Sequence, residues 1–281
     1  MPNGSNTDQG PKLALAREFA PEASALTKHC RNHGLPQPPV GWWLSEKMRG
    51  VRASWDGQVM RTRSGRTITL PPRWETALPI SPLDGELMAK HGGQDATTGL
   101  IRMSVADPAE WMQRGVQFHA FGTFGEAEPA ARIQAVRQSV GAARRMRENG
   151  VPDWVVALPH VMCDSQAQFQ SFNQSVTSKG GEGVMLLAPK GGYPSGRTLS
   201  LLKFKDEDTD SFVVLSEMAG KGRAQGRVAS LLVRRQVDGV ECHASVNPPC
   251  APHTFNKGQV VQVRYFGLTS HGMPVNPRVC M

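Results

Sequence analysis

No apolar run in this 281-residue chain approaches the roughly 20 residues that a membrane-spanning helix needs, so no span is expected. The first 30 residues hold no apolar core of signal-peptide length either, so secretion is not expected and the chain reads as intracellular. Cysteine is scarce: five residues (Cys30, Cys163, Cys242, Cys250 and Cys280), odd in number and widely spaced. That usage suits a reducing compartment better than a disulfide framework. The pairs His160/Cys163 and Cys250/His253 have ligand-like spacing, but C-x-x-C is absent, which argues against a structural zinc. Also missing is a G-x-x-x-x-G-K-[ST] phosphate loop. The run Gly220-Lys221-Gly222-Arg223-Ala224-Gln225-Gly226 has a similar composition in the wrong order, and it reads as a basic hairpin turn against a phosphate backbone or simply in solvent. There is no internal repeat and no low-complexity tract.

What is present is a globular composition, 39% hydrophobic and 20% charged, with a net charge of +8. Such an excess fits an anionic partner, nucleic acid first, or else a basic enzyme with no such partner. Residues 206–281 hold 8 basic and 7 acidic residues, so residues 1–205 carry +7 of the +8. A basic first part joined to a nearly neutral second part suggests two domains. Residues 1–35, rich in Gly, Asn, Ser and Asp, read as a flexible lead-in. VRASW, QVMRTRS and RTITL read as short strands separated by the hairpin signals Asp56-Gly57 and Ser64-Gly65. Between Pro129 and Asn149, Ile133, Val136, Val140 and Ala143 recur at helical spacing. The other face of that helix carries Arg132, Arg137, Arg144, Arg145 and Arg147, exposed to solvent or to phosphates. Ser165 to Lys179 reads as a second helix ended by Gly180-Gly181, followed by the buried-strand runs EGVMLLA and SLLKFK. Beyond the acidic break DEDTD, four or five short strands with Gly-rich turns suggest a small antiparallel barrel.

The candidate chemistry is a set of polar residues at the ends or on the faces of apolar strands. Lys47 sits among an acid and arginines, with Arg52 five positions on. Most lysines are solvated surface groups, and Lys47 taken alone would be one of them. Asp84-Gly85-Glu86 opens a strand, and Glu182 follows two glycines into Val184-Met185-Leu186-Leu187. Lys203 and Lys205 alternate on a strand and would share one side. Two unpaired ammonium groups in a buried sheet require an anion, and a triphosphate would serve.

In order along the chain come Lys47-Met48-Arg49-Gly50-Val51-Arg52, Thr62-Arg63-Ser64-Gly65, Leu83-Asp84-Gly85-Glu86, Phe118-His119-Ala120-Phe121, Gly181-Glu182-Gly183-Val184-Met185 and Leu202-Lys203-Phe204-Lys205. This series resembles the motifs of covalent nucleotidyltransferases. SEKMRGVRASWDG, GGEGVMLL, the GKGRAQG turn and VRYFGLTSHGMP are similar, more closely, to the minimal ATP-dependent DNA ligases of bacterial type, over roughly residues 40–275. The resemblance implies an α+β fold: a nucleotidyltransferase (adenylation) domain with antiparallel sheets and flanking helices at 36–206, followed by a small OB-fold β-barrel at 207–281. It implies an enzyme, with ATP and Mg²⁺ as cofactors, acting as a monomer on nicked double-stranded DNA. Lys47 would be the nucleophile that carries AMP, its pKa lowered by Arg52, Lys203, Lys205 and the metal. Ser45, Arg52, Glu86, Phe121, Lys203 and Lys205 would hold the nucleotide, with Glu86 on the ribose and Phe121 on the adenine. Glu182, with Glu86, would bind Mg²⁺.

Arg63 would contact the nick or nucleotide. The remaining DNA contacts would come from the Arg-rich helix (Arg137, Arg144, Arg145) and the turn carrying Lys221 and Arg223, with a hinge near DEDTD. The chain departs from the family's K-x-D-G-x-R at Arg49, has Gly122 after Phe121 where these ligases usually have Asp, and ends without a further apolar, basic strand. Three alternatives stay open: an RNA ligase, another nucleotidyltransferase such as a GTP-using capping enzyme, and a catalytically impaired relative that binds nicks. An NAD-dependent ligase is disfavoured, since no nicotinamide-binding stretch precedes Lys47 and no zinc-type cysteine cluster follows.

Overall fold

The structure, a computed structural model, describes residues 12–269 and 272–280. Residues 1–11 of the expected lead-in, and Ser270 and His271 of the stretch VRYFGLTSHGMP, lie outside the described residues. The chain divides between Phe204 and Lys205 into two compact units.

The first unit holds two five-stranded sheets. One runs in the order β1 (Ala14–Glu18), β10 (Gly196–Phe204), β9 (Val184–Leu187), β2 (Trp43–Glu46), β8 (Val161–Met162). The other runs β4 (Met60–Thr62), β3 (Val51–Trp55), β5 (Leu83–Ala89), β6 (Val116–Gly122), β7 (Val155–Ala157). Among the described residues five α-helices flank them: α1 (Ser24–Asn32), α2 (Gly93–Leu100), α3 (Pro108–Gln113), α4 (Pro129–Met146) and α5 (Gln166–Thr177). The first sheet buries Leu44, Val184, Leu186 and Leu202 against Leu26 and Cys30 of α1 and Phe169 of α5. The second buries Ala53, Leu87 and Phe118 with Trp74, Trp111 and Trp154, and with Val136 and Val140 of α4. Full burial of each large apolar side chain contributes about 1.5–3 kcal/mol. Helix α5 is capped by Ser165, whose side chain accepts from the Gln168 amide. It stops where Gly180, at φ 81, lets the Gly181 amide return to the Val176 carbonyl at 3.0 Å.

The second unit is a closed barrel, β11 (Asp208–Ala219), β12 (Val228–Arg235), β13 (Glu241–Cys250), β15 (Arg278–Val279), β14 (Val260–Tyr265). Inward residues alternate with outward ones, as along Val260–Tyr265, and close a core of Phe212, Val214, Leu231, Val233, Ala244 and Val263.

Several expectations need correction. Residues 14–32 are not a loose lead-in: β1 is an edge strand and α1 buries Leu26 and Cys30, which a composition count overlooks. The sheets of the first unit are not wholly antiparallel, since β1/β10 and β6/β7 pair in parallel, the second pair joined through α4. RTITL forms only an isolated bridge, Thr67 to Arg61, because the prolines after Leu70 turn the chain away. Asp208 to Asp210 of the acidic break begin β11 and pair with Val263–Tyr265, so they belong to the barrel rather than to a hinge. Helix α4 ends at Met146, three residues short of Asn149.

Candidate active site

A cavity of about 350 Å³ opens in the first unit, lined by residues of β1, β2, β5, β6, β9, β10 and the start of α4. Lys47 follows β2, and its amide donates to the Gly183 carbonyl at 2.8 Å, extending the β2–β9 pairing that already joins Glu46 to Val184. The Lys47 ammonium in turn donates to Glu182 Oε2. Two distant motifs are thus tied together by backbone and side chain. Three residues on, the Gly50 amide donates to Glu86 Oε1 at 3.1 Å. A Cβ at Gly50 would lie 2.2 Å from the Leu87 carbonyl oxygen, so only glycine lets the loop approach β5 this closely. Arg49, between these anchors, is exposed.

Register places Arg52 opposite Glu86 on β3 and β5. The Arg52 guanidinium donates from Nε and Nη2 to the two oxygens of Asp84, each at 2.6 Å, and stands 4.6 Å from the Phe121 ring centroid. The Tyr193 hydroxyl also donates to Asp84, at 2.6 Å, and accepts from the Ala14 amide at 2.9 Å. Burial alone would lower the Arg52 pKa, but Asp84 outweighs it and holds the group firmly charged. Burial raises the Tyr193 hydroxyl, with Asp84 adding to the shift. Burial also pushes Glu86 up to about 7, against the pull of Arg52. Lys203 is paired with Glu18 Oε1 at 2.8 Å.

Of the residues singled out in the sequence, Ser45, Lys47, Arg52, Arg63, Glu86, Phe121 and Lys203 line one cavity, and Glu182 joins them through Lys47. The expected crowd of uncompensated cations is not what forms. Lys47, Arg52 and Lys203 each pair with a carboxylate, because a low-dielectric cleft does not leave charges without partners. Strand β10 ends at Phe204, so the alternation argument stops short of Lys205, which lies in the second unit with its ammonium over the Phe266 ring. Arg137 donates to the His160 carbonyl, Arg144 pairs with Asp153, and Arg145 is exposed. Lys221 and Arg223 are exposed on the β11–β12 turn. Asp84, Arg132, His160 and Tyr193 are among the lining residues given no site role from the sequence. Asp84 had a signal in its place beside Glu86, Arg132 one in the arginine face of α4 and His160 a misleading one in its spacing from Cys163, while Tyr193 had none.

The donor set can be tested against the groups the resemblance implies. Phe121, Met185, Leu187, Ile133 and Leu158 give the cavity an apolar part, and Lys47, Arg52, Arg63 and Lys203 give it cations, which suits a base joined to phosphates. Glu182 binds Lys47 directly and Glu86 feels its charge. Two hard carboxylates fit Mg²⁺, which keeps waters and takes phosphate oxygens. Among the described residues no group of three or more His, Cys, Asp or Glu side chains clusters as a metal cage.

No protein-family model matches the chain. A curated DNA ligase of Haemophilus influenzae is 23% identical over 269 residues, covering 93% of both chains. A solved structure from a structure–function analysis of DNA binding by Lig E DNA ligases is 25% identical, with a TM-score of 0.74 over 96% of this chain and 98% of that one. The ATP-dependent DNA ligase from bacteriophage T7, solved with ATP, shares the fold at 18% identity and a TM-score of 0.54, over 96% and 98%. The resemblance to minimal ATP-dependent DNA ligases therefore holds over nearly the whole chain, and the fold is a nucleotidyltransferase domain followed by an OB-fold barrel.

Proposed function

We propose that this chain is an ATP-dependent DNA ligase that seals nicks in duplex DNA, with Lys47 as its nucleophile. The observation that carries the reading is the position of Lys47, hydrogen-bonded to Glu182 at a cavity whose wall holds Phe121 and Met185. Lys47 Nζ attacks the α-phosphorus of ATP; a P–N bond forms and pyrophosphate leaves. A DNA 5′-phosphate oxygen then displaces the lysine and takes the AMP. Attack by the 3′-hydroxyl on that phosphate expels AMP and closes the strand.

Lys47 must lose a proton before it attacks, and Glu182 Oε2 is the atom already bonded to it. Arg52 is oriented by Asp84 through Nε and Nη2, and its Nη1 makes no hydrogen bond among the described residues, leaving a donor for phosphate. Phe121 supplies the stacking face, Ser45 and Glu86 hydrogen-bond the nucleoside, and Lys203 and Arg63 meet phosphate. Mg²⁺, held by Glu182 with Glu86, would offset charge on the phosphates. DNA phosphates are met by Lys221, Arg223 and Lys205 of the barrel unit and by Arg137, Arg144 and Arg145 of α4. Arg49 is the departure that speaks for a decayed relative, but both anchors of its loop are intact, which supports an active enzyme.

The test is sealing of a singly nicked duplex with ATP or GTP, with the 3′-hydroxyl strand made of DNA or RNA. Sealing of the all-DNA nick with ATP is expected. Preference for the RNA strand, use of GTP, or nick binding without sealing would each replace the reading with one of its alternatives.

A further inference from the structure

We propose that His160 selects the base, its Nε2 lone pair accepting a hydrogen bond from the exocyclic amine of adenine. The proposal rests on reading the Lys47 cavity as the nucleotide site and names what distinguishes one nucleotide from another there.

Four side chains of the cavity are both polar and buried: Ser45, Asp84, Arg132 and His160, at 5%, 1%, 5% and 8% exposure. Asp84 is consumed by Arg52 and Tyr193. Arg132 lies against the Gly125 carbonyl and the Tyr193 ring. Ser45 and His160 remain, and they are neighbours. Strands β2 and β8 pair Trp43 with Met162 and Leu44 with Val161, so continuing the register sets Ser45 opposite His160. Leu158, Ile133, Leu187 and Met185, also in the wall, give the cavity the apolar surface that an aromatic base needs.

The His160 ring is fixed in one protonation pattern. Nδ1 lies 3.0 Å from the Leu158 carbonyl oxygen, which can only accept, so Nδ1 carries the hydrogen. Burial, with the Arg137 charge adding to it, pushes the pKa down to about 4, so at neutral pH the ring is uncharged and Nε2 is an acceptor. Arg137 also holds the His160 backbone, donating to its carbonyl at 3.1 Å. Among the described residues no group donates to Nε2. His160 lines the cavity, so an acceptor there with no protein partner is open to a ligand amine. An oxo group at the same position of the purine, as in guanine or hypoxanthine, would set lone pair against lone pair. Ser45 cannot make this distinction, because a hydroxyl both donates and accepts. The spacing of His160 and Cys163 that resembles a metal pair has a different meaning here: Cys163 is buried in the core and its thiol donates to the Ser165 carbonyl.

The experiment measures the rate of nucleotide attachment to Lys47 with ATP, inosine triphosphate and purine riboside triphosphate, which has hydrogen in place of the amine. Wild-type protein is expected to favour ATP over purine riboside triphosphate by about three- to tenfold, the worth of one neutral hydrogen bond, and to disfavour inosine triphosphate further. In His160→Leu the ATP preference over purine riboside triphosphate should fall to near one. In His160→Gln, whose side-chain oxygen can accept, part of it should return. Ratios taken on a single preparation are insensitive to how much of a variant is folded. An unchanged ratio in His160→Leu, or equal use of the two nucleotides by wild type, overturns the proposal while the Lys47 reading stands. Attachment of no nucleotide at all to the wild-type protein overturns the Lys47 reading, and this proposal with it.

Discussion

Each unit holds an arginine in a carboxylate fork, and the two are built for opposite ends. Arg235 of the barrel, 2% exposed, uses its whole guanidinium internally: Nε and Nη2 donate to Asp238, Nη2 also to the Gly272 carbonyl, and Nη1 to the Tyr265 hydroxyl. Asp210 lies close by. Nothing is left over, so the group serves the fold. Arg52 is held as firmly through one edge by Asp84, yet it lines a cavity, and its Nη1 makes no hydrogen bond among the described residues. A buried charge marks a site where part of its bonding capacity stays unspent, and a structural strut where it does not.

The sharpest way to break this contrast is at the carboxylate beside Lys47. Glu182→Ala should reduce sealing by about 10²–10³-fold or more while leaving nicked-duplex binding in gel shifts. Near-normal sealing by that variant at low Mg²⁺ would return Glu182 to a structural role. Replacing each arginine by lysine comes next, since lysine keeps the charge and loses the fork. Arg52→Lys is expected to slow nucleotide attachment by about 10–100-fold with little change in unfolding free energy. Arg235→Lys should leave attachment by the folded protein unchanged and cost about 1–3 kcal/mol in denaturant unfolding. If both lose activity alike, or both lose only stability, the distinction between them is wrong. The smallest effect is at the DNA. Lys221→Ala with Arg223→Ala should reduce the log–log salt slope of nicked-duplex affinity by about 0.9 per lost contact. Arg144→Ala with Arg145→Ala should reduce it by about 0.9 or less, since Arg144 already pairs with Asp153. An unchanged slope in the first pair would remove that turn from the interface.

The barrel was the more legible unit because its physics is local. In β14 and in the first six residues of β13 every second side chain is buried, and a period of two needs no partner to be seen. Helix α4 was legible for the same reason, through Ile133, Val136, Val140 and Ala143. The cavity was legible as a motif series, but its inner bonding was not. Lys47 with Glu182, and Arg52 with Asp84, join residues 135 and 32 positions apart through strand register. Tyr193 sits in the run GGYPSG, which reads as a turn and gives no hint that its hydroxyl reaches Asp84. His160 carried a misleading signal, since its place in the cavity wall follows from the pairing of β2 with β8. Strand β1 was invisible because its worth comes from pairing with β10, nearly two hundred residues later.

The most direct measurement is intact-protein mass spectrometry after incubation with ATP and Mg²⁺, followed by peptide mapping of the adduct. The expected result is one AMP per chain, labile to acid and stable to base, on the peptide containing Lys47, and none in a folded Lys47→Ala protein. AMP on another residue, or equal uptake by Lys47→Ala, would contradict the assignment of Lys47 as the nucleophile.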